Sequence, residues 1–400
     1  MLPYRVCHRK WPRRIPFPPD PVYNTFIEFY PRFIVATLTV ILPVVPAAGP
    51  TETLPGLLDL SHDALAAWLS ERGEKPLRAR QLRRWLLEAG AETFDAMTDL
   101  PKALRHNLAE SFVPLASRVA KHLTASDDTH KLLVELREHK LIECVLIQDD
   151  GRRTACISTQ VGCGMGCVFC ASGLDGVDRN LSVGEIVEQL VRLRNLPGPS
   201  GAAFERLTNI VVMGMGEPLA NLDNLLESLE IATAKDGLGI GARHITISTV
   251  GLPVKIRKLA DLGKQYHLAV SLHAPNDALR NQIVPTNDKT GLDAILAAAD
   301  YFFEQTGRQV TYEYVLLHGL NDDPAHAREL AALLRGRRAH VNLIPFNDVE
   351  GLPYRRPTTE SLNAFTNVLH QGGISVKVRK RKGSQIDAAC GQLRRTAIGS

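Results

Sequence analysis

The sequence predicts an α/β protein: an open, partial (β/α)6 barrel with a small N-terminal helical domain. Three observations predict it. From residue 154 onward, strand-like runs alternate with amphipathic stretches, the pattern of parallel strands joined by right-handed crossovers. A glycine-laced loop carrying three cysteines, VGCGMGCVFCASG at 161–173, closes the first of those runs, where such folds gather their active sites. Residues 56–115 hold short blocks with apolar spacing of three and four, punctuated by Gly and Pro. The units fall short of the eight of a closed barrel, so an open one is favoured, with a doubly wound sheet as the rival.

The elements follow in order. Residues 1–55 read as an extension, disordered or mis-assigned. Basic residues precede the apolar stretch at 33–49 as in a signal peptide, but Asp20 and Glu28 interrupt the leading region. Pro43 and Pro46 break the apolar run, which is shorter than the ~20 residues a spanning helix needs, so no membrane anchor is expected. Residues 56–115 predict helices in LSHDALAAWLSERG, PLRARQLRRWLLEAG and LPKALRHNLAESF, the second strongly basic. A β-rich connector, 116–150, contains KLLVEL and KLIECVLI. The core, 151–396, offers strands at 154–161, 207–214, 242–249, 266–273, 308–317, 340–346 and 374–380. Its first helix, LSVGEIVEQLVRLRN, opens on the capping box Ser182–Glu185.

The composition bounds the chemistry. With 44% hydrophobic and 22% charged residues, 400 residues make a globular chain with a large core. The net charge of +4 does not announce nucleic-acid binding, yet basic residues cluster at 78–85, 355–356, 378–383 and 394–395 and can form a local phosphate-binding face. Seven cysteines without regular spacing exclude a secreted disulfide framework and place the chain in a reducing, cytoplasmic setting.

The spacing Cys163-x3-Cys167-x2-Cys170 supplies three thiolates and no fourth ligand nearby. Structural zinc prefers four, usually as two separated pairs, so a zinc loop on a non-catalytic RNA-binding protein is the competing reading. Three thiolates on an iron–sulfur cube leave one iron open, the radical S-adenosylmethionine (SAM) arrangement. Phe169 before the last cysteine agrees with it. Gly162, Gly164 and Gly166 let the loop wrap closely with backbone amides turned toward an anionic sulfur centre. Polar residues recur where strands stop: Gly216 and Glu217 in GMGEPLAN, then Ser248, Ser271-Leu272-His273 and Asn347. A polar cofactor needs such groups, and Glu217 could accept from the α-amino group of SAM.

Taken together, GEKPLRARQLRRW, VGCGMGCVFCASG, DRNLSVGEIVEQ, VVMGMGEPLANLDN, RHITISTVGL, SLHAPND, VNLIPFN and IDAACGQL resemble the RlmN/Cfr family of radical-SAM RNA adenine methyltransferases, over about 56–396. The resemblance implies a radical-SAM barrel, one 4Fe–4S cluster on the three loop cysteines, and two SAM molecules per turnover. It implies an RNA-binding role for 56–115, 23S rRNA and tRNA as substrates, a flavodoxin or ferredoxin as electron donor, and a monomer. It further implies that Cys390 becomes an S-methylcysteine, that Cys156 resolves the RNA adduct through a transient disulfide, and that Glu143 accepts the ring proton. On their own, Cys390 and Cys156 would read as buried structural thiols, and Glu143 as a solvated charge. Cys144 and Cys7 receive no role. The motifs are shared by enzymes of C2 and C8 regiochemistry, and C2 is the expected one.

Overall fold

A computed structural model describes residues 54–149, 151–198 and 205–393. The expectations for residues 1–53, for Cys7 and for Arg394 and Arg395 fall outside those residues.

Three helices open the described chain: α1 (His62–Ser70), α2 (Leu77–Leu87) and α3 (Lys102–Ser111). Ser61 caps α1 by accepting from the Ala64 amide at 3.1 Å. Leu65, Leu69, Leu82, Leu86, Leu104 and Leu108 are buried at helical spacing and form the module's core. The arginines of α2 lie on its outer side, where Arg84 pairs with Asp99 at 2.9 Å and Arg78 with Glu74 at 3.3 Å.

A meander follows: β1 (Arg118–Thr124), β2 (His130–Glu135), β3 (Leu141–Asp149) and β4 (Arg152–Cys156), antiparallel throughout. The expected first barrel strand, 154–161, is shorter than predicted. After Ile157 the chain leaves the sheet because Gln189 brackets Ser158, accepting from its amide at 2.8 Å and donating to its carbonyl at 3.0 Å. It then forms β5 (Gln160–Gly162), which pairs with β6 (Val177–Asn180) in a separate two-stranded ribbon.

The barrel is completed by α4 (Val183–Arg194), β7 (Asn209–Val212), α5 (Leu222–Thr233), β8 (Ile245–Thr249), α6 (Pro253–Asp261) and β9 (His267–Ser271). There follow α7 (Asp277–Ile283), α8 (Leu292–Thr306), β10 (Val310–Leu316), α9 (Pro324–Leu333), β11 (Ala339–Pro345), α10 (Thr359–Gln371) and β12 (Ser375–Val378). The capping box is present in full: Ser182 accepts from the Glu185 amide and Glu185 from the Ser182 amide. Among the described residues the large sheet runs β1-β2-β3-β4-β7-β8-β9-β10-β11-β12, parallel from β4 onward. Six β/α units plus a closing strand thus make an open barrel whose β4 edge is extended by the meander. Buried Glu188 of α4 accepts from the amides of Ala116 and Ser117 at 2.6 and 2.7 Å, tying the connector to the barrel's outer layer.

Beyond β12 the segment 383–393 runs as a strap from one end of the open sheet to the other. The Gly383 amide donates to Asp127 at 3.0 Å, and the Ser126 amide to Gln385 at 3.1 Å. Gly383 has φ 63, and a Cβ there would meet Thr129 at 2.7 Å and Ala388 at 2.8 Å, so the crossing needs glycine. Farther on, Ala171 donates to the Gly391 carbonyl at 2.8 Å and Ser172 to the Leu393 carbonyl at 2.6 Å, seaming the strap to the cysteine loop. No helix among the described residues is long and apolar enough to cross a membrane.

Candidate active site

Cys163, Cys167 and Cys170 sit on the loop between β5 and β6 and line one cavity at the carboxyl ends of the barrel strands. Positive φ values at Gly162 (80°) and Gly166 (66°) let the loop fold back on itself. Backbone amides do reach the sulfurs: those of Met165 and Gly216 donate to Cys163, and those of Ser172 and Gly173 to Cys170. The donors are thus Met165 between two of the interleaved glycines, Ser172 and Gly173 just past the last cysteine, and Gly216 from the opposite loop. Burial pushes all three thiols up, Cys163 to about 12, so apolar walls alone would keep them protonated. A cationic iron–sulfur core held by Cys163, Cys167 and Cys170 would supply the missing compensation, and three thiols facing one cavity fit it.

The strand-end residues converge on the same cavity, which Gly216, Glu217, Ser248, Ser271, His273 and Asn347 all line. Glu217 is buried and lifted by that burial. Its carboxylate accepts from the Leu219 amide at 3.0 Å and the Val250 amide at 2.8 Å, leaving further lone pairs for a ligand. Gly216, at φ 102, passes so close to Gln160 that a Cβ would meet it at 2.7 Å. His273 also has a positive φ (62°), and burial lowers its pKa to about 3, so it is neutral. Its Nδ1 accepts from the Val315 amide at 3.1 Å, which leaves the proton on Nε2. Phe169 meets the His273 ring edge-on, with centroids 4.7 Å apart. Leu272 is different: its side chain is fully buried in the core and does not line the cavity.

Cys390 lines the cavity as well, carried there by the strap, with its carbonyl held by Asn347 Nδ2 at 3.1 Å. Cys156, at the end of β4, shares a second cavity with Cys390, and burial followed by the neighbouring Cys390 sulfur pushes its thiol up to about 12. Cys144 points to the other face of β3, is fully buried, and is raised far above the usual thiol range by burial. Glu143 is not the solvated charge that its place in a connector suggests. It is 2% exposed and pairs with Lys131 at 2.9 Å. The register puts it on the Cys156 face, since Val145 pairs with Cys156 and Glu143 lies two residues before Val145.

Sequence reasoning missed four contributors. Arg379, read as part of a phosphate-binding run, turns inward and hydrogen-bonds the Cys390 sulfur. Glu313 lines both cavities and accepts from Asn342 at 2.8 Å; a lone carboxylate inside the run RQVTYEYVLL was its signal. Arg280, 1% exposed, donates to the carbonyls of Ser271 (2.9 Å), Leu272 (3.0 Å) and Val250 (2.5 Å), gathering two strand ends beneath the cysteine loop. Lys131, whose β-strand context hid it, joins Glu143 to the strap.

The second cavity runs along the strands, with His267 and His340 near their starts and Cys156, Ile344 and Asn347 at their ends. Arg152, Arg356, Lys377, Lys380, Arg381 and Lys382 line it as well. Arg379, Glu313, Asn347 and Cys390 line both cavities and so form the partition between them.

A partial barrel with three thiols on a strand-end loop, opposite a ring of polar strand termini, is the architecture of a radical-SAM enzyme. The comparisons agree. The model of the radical SAM superfamily matches residues 157–331, and that of the ribosomal RNA large subunit methyltransferase N-terminal domain matches 56–113. A probable dual-specificity RNA methyltransferase RlmN of Rhodopirellula baltica is 53% identical over 366 residues, 90% of this chain and 97% of that protein. Its counterpart from Caldicellulosiruptor saccharolyticus is 45% identical, covering 84% of this chain and 96% of that one. A crystal structure of a radical SAM methyltransferase from Sphaerobacter thermophilus superposes with a TM-score of 0.82 at 43% identity, covering 86% of this chain and all of that one. The chain belongs to the RlmN family of radical-SAM RNA methyltransferases.

Proposed function

We propose that the protein methylates C2 of an adenosine in the peptidyl-transferase centre of 23S rRNA and of the adenosine 3′ to the anticodon in some tRNAs. The observation that carries this reading is the placement of Cys390, which faces the three loop cysteines through one cavity and Cys156 through the other. The RlmN names of the relatives support the substrate class. The basic lining supports it too: six cations line a cavity that leads to Cys390, which suits an RNA backbone entering with one base extruded.

C2 of adenine is an electron-poor carbon without a lone pair, so it cannot attack the methyl group of SAM directly. A cluster held by Cys163, Cys167 and Cys170, with SAM on its open iron, supplies the means of removing a hydrogen atom from a methyl group. Gly216, Glu217, Ser248, Ser271 and Asn347 are the residues in position to hold SAM. Cys390 first attacks the methyl group of one SAM as a thiolate, which the adjacent Arg379 guanidinium stabilises, and S-adenosylhomocysteine leaves. After hydrogen abstraction, the methylene on Cys390 bonds to C2. One electron then passes from this radical adduct to a one-electron acceptor of the flavodoxin or ferredoxin class, which leaves a cationic adduct. Glu143 removes the C2 proton, and the C–H electron pair returns to the ring. Cys156 then attacks the Cys390 sulfur as a thiolate: the S–S bond forms, the S–CH2 bond breaks, and the departing carbon takes a proton to become the methyl group. An external dithiol reduces the disulfide to two thiols and leaves as its own disulfide.

Mass spectrometry of nucleosides from a knockout strain and its complemented partner tests the reading. The expected result is 2-methyladenosine present in rRNA and tRNA only when the gene is. Appearance of 8-methyladenosine without 2-methyladenosine would overturn the regiochemistry.

A further inference from the structure

Lys131 occupies an unusual place. Its side chain is 8% exposed, it stands within a strand whose residues are all buried, and it makes two contacts that nothing in the reaction as written requires. One is to Glu143 Oε1 at 2.9 Å. The other is to the Asp387 carbonyl at 3.1 Å, on the strap three residues before Cys390. Asp387 sits in the left-handed region, φ 49, within the short turn that brings the strap across the meander. The sheet register adds an independent observation. Lys131, Val145 and Cys156 are direct partners across β2, β3 and β4, so all three project to one face, with Glu143 on the diagonal from Lys131. One ammonium therefore touches the carboxylate and the strap, and stands in line with the resolving thiol.

We infer that Lys131 is a positioning residue: it holds the Glu143 carboxylate ionised and oriented toward the reacting base, and docks the strap so that Cys390 and Glu143 address the same ring. The inference rests on the proposal that Glu143 is the proton acceptor. A buried carboxylate without a cationic partner favours its protonated form, which cannot accept the C2 proton. The pair also explains a buried lysine chemically. An ammonium donates to a carboxylate and a carbonyl at once, so one side chain bridges sheet and strap. In the step concerned, the C2–H bond of the cationic adduct breaks, the proton passes to Glu143, and the pair stays with the ring. Lys131 keeps its own protons throughout.

The test compares Lys131→Met, Lys131→Gln, Glu143→Gln and the Lys131→Gln/Glu143→Gln double variant with the wild type, using cluster-loaded enzyme, SAM, a reductant and a short substrate RNA hairpin. Three quantities are read: 5′-deoxyadenosine formed, free methylated RNA, and protein–RNA covalent species on a denaturing gel. In Lys131→Met, 5′-deoxyadenosine formation is expected to stay within about twofold of wild type. Free methylated RNA falls about 10- to 100-fold and the covalent species accumulates, within the range general-base catalysis contributes. Lys131→Gln keeps an N–H donor for the strap but no charge, and shows the same stall. Because the lysine charge acts through Glu143 and glutamine keeps the donor to the strap, adding Lys131→Gln to Glu143→Gln changes nothing further. An unchanged ratio of 5′-deoxyadenosine to free product in both lysine variants would overturn the inference while leaving the Glu143 role intact. Additive losses in the double variant would overturn it as well. So would joint loss of SAM cleavage and methyl transfer in both lysine variants, which would assign Lys131 to the fold alone. If Glu143→Gln itself accumulates no covalent species, the general-base reading fails first and the inference with it.

Discussion

The two cavities of the barrel differ in a way that separates their tasks. The one at the carboxyl ends of the strands is walled by thiols, glycines, small hydroxyls and apolar side chains, and its few charges, Glu217, Glu313 and Arg379, are held by internal partners. The second is lined by six lysines and arginines besides Arg379. On the proposed function the first holds the compact reactive centre and the second admits a polyanion. Cys390 lines both, so the proposed chemistry falls at the partition.

Breaking the first cavity has the largest expected effect. Replacing Cys163, Cys167 or Cys170 with alanine abolishes methylation, and anaerobically reconstituted protein loses the iron content and brown colour of the wild type. Breaking the partition comes next. Cys390→Ala is expected to retain reductive cleavage of SAM while methyl transfer to RNA falls to background, measured by 5′-deoxyadenosine release against RNA label. Damage to the second cavity is milder. Lys382 is paired with Asp149 at 3.1 Å, so Lys380→Ala/Arg381→Ala removes the two cations freer to meet phosphate. The slope of log affinity against log salt should flatten by about 1.4, at ~0.7 per contact for single-stranded RNA, with kcat little changed.

A pH experiment sharpens the partition further. Cys156 is held to about 12, above the ordinary thiol value, so its thiolate is scarce at neutral pH and grows as pH rises. Its alkylation by iodoacetamide should climb about tenfold per pH unit through the alkaline range, without a plateau near 9. The smallest effect lies remote from both cavities. Ser182→Ala removes the cap of α4 and should cost about 1 kcal/mol of stability in denaturant unfolding, with the ratio of SAM cleavage to methyl transfer unchanged.

What the sequence made legible was local. Apolar alternation placed the barrel strands, helical spacing placed α1 to α4, and the interval between the loop cysteines predicted their shared site. What it hid was set by distant partners. Strand β1 alternates weakly, with half-buried faces and a bulge between Val119 and Lys121, and β6 is four largely exposed residues, VDRN, held by β5. The break after Ile157 depends on Gln189, which no pattern in 154–161 encodes. Arg379 read as part of a surface run because arginine is seldom buried, and Lys131, inside KLLVEL, drew no reading. The roles proposed for Glu143 and Cys390 come from family motifs; on their own Glu143 reads as a solvated charge and Cys390 as a buried structural thiol.

On the proposed mechanism Cys390 receives the RNA base between the two cavities and Cys156 releases it. The decisive experiment is turnover of Cys156→Ala with SAM, reductant and substrate RNA, followed by protease and nuclease digestion and mass spectrometry. The predicted result is an adenine joined through one methylene to the peptide that contains Cys390, with little free methylated RNA. Free methylated RNA released at the wild-type rate, with no adduct on that peptide, would contradict it.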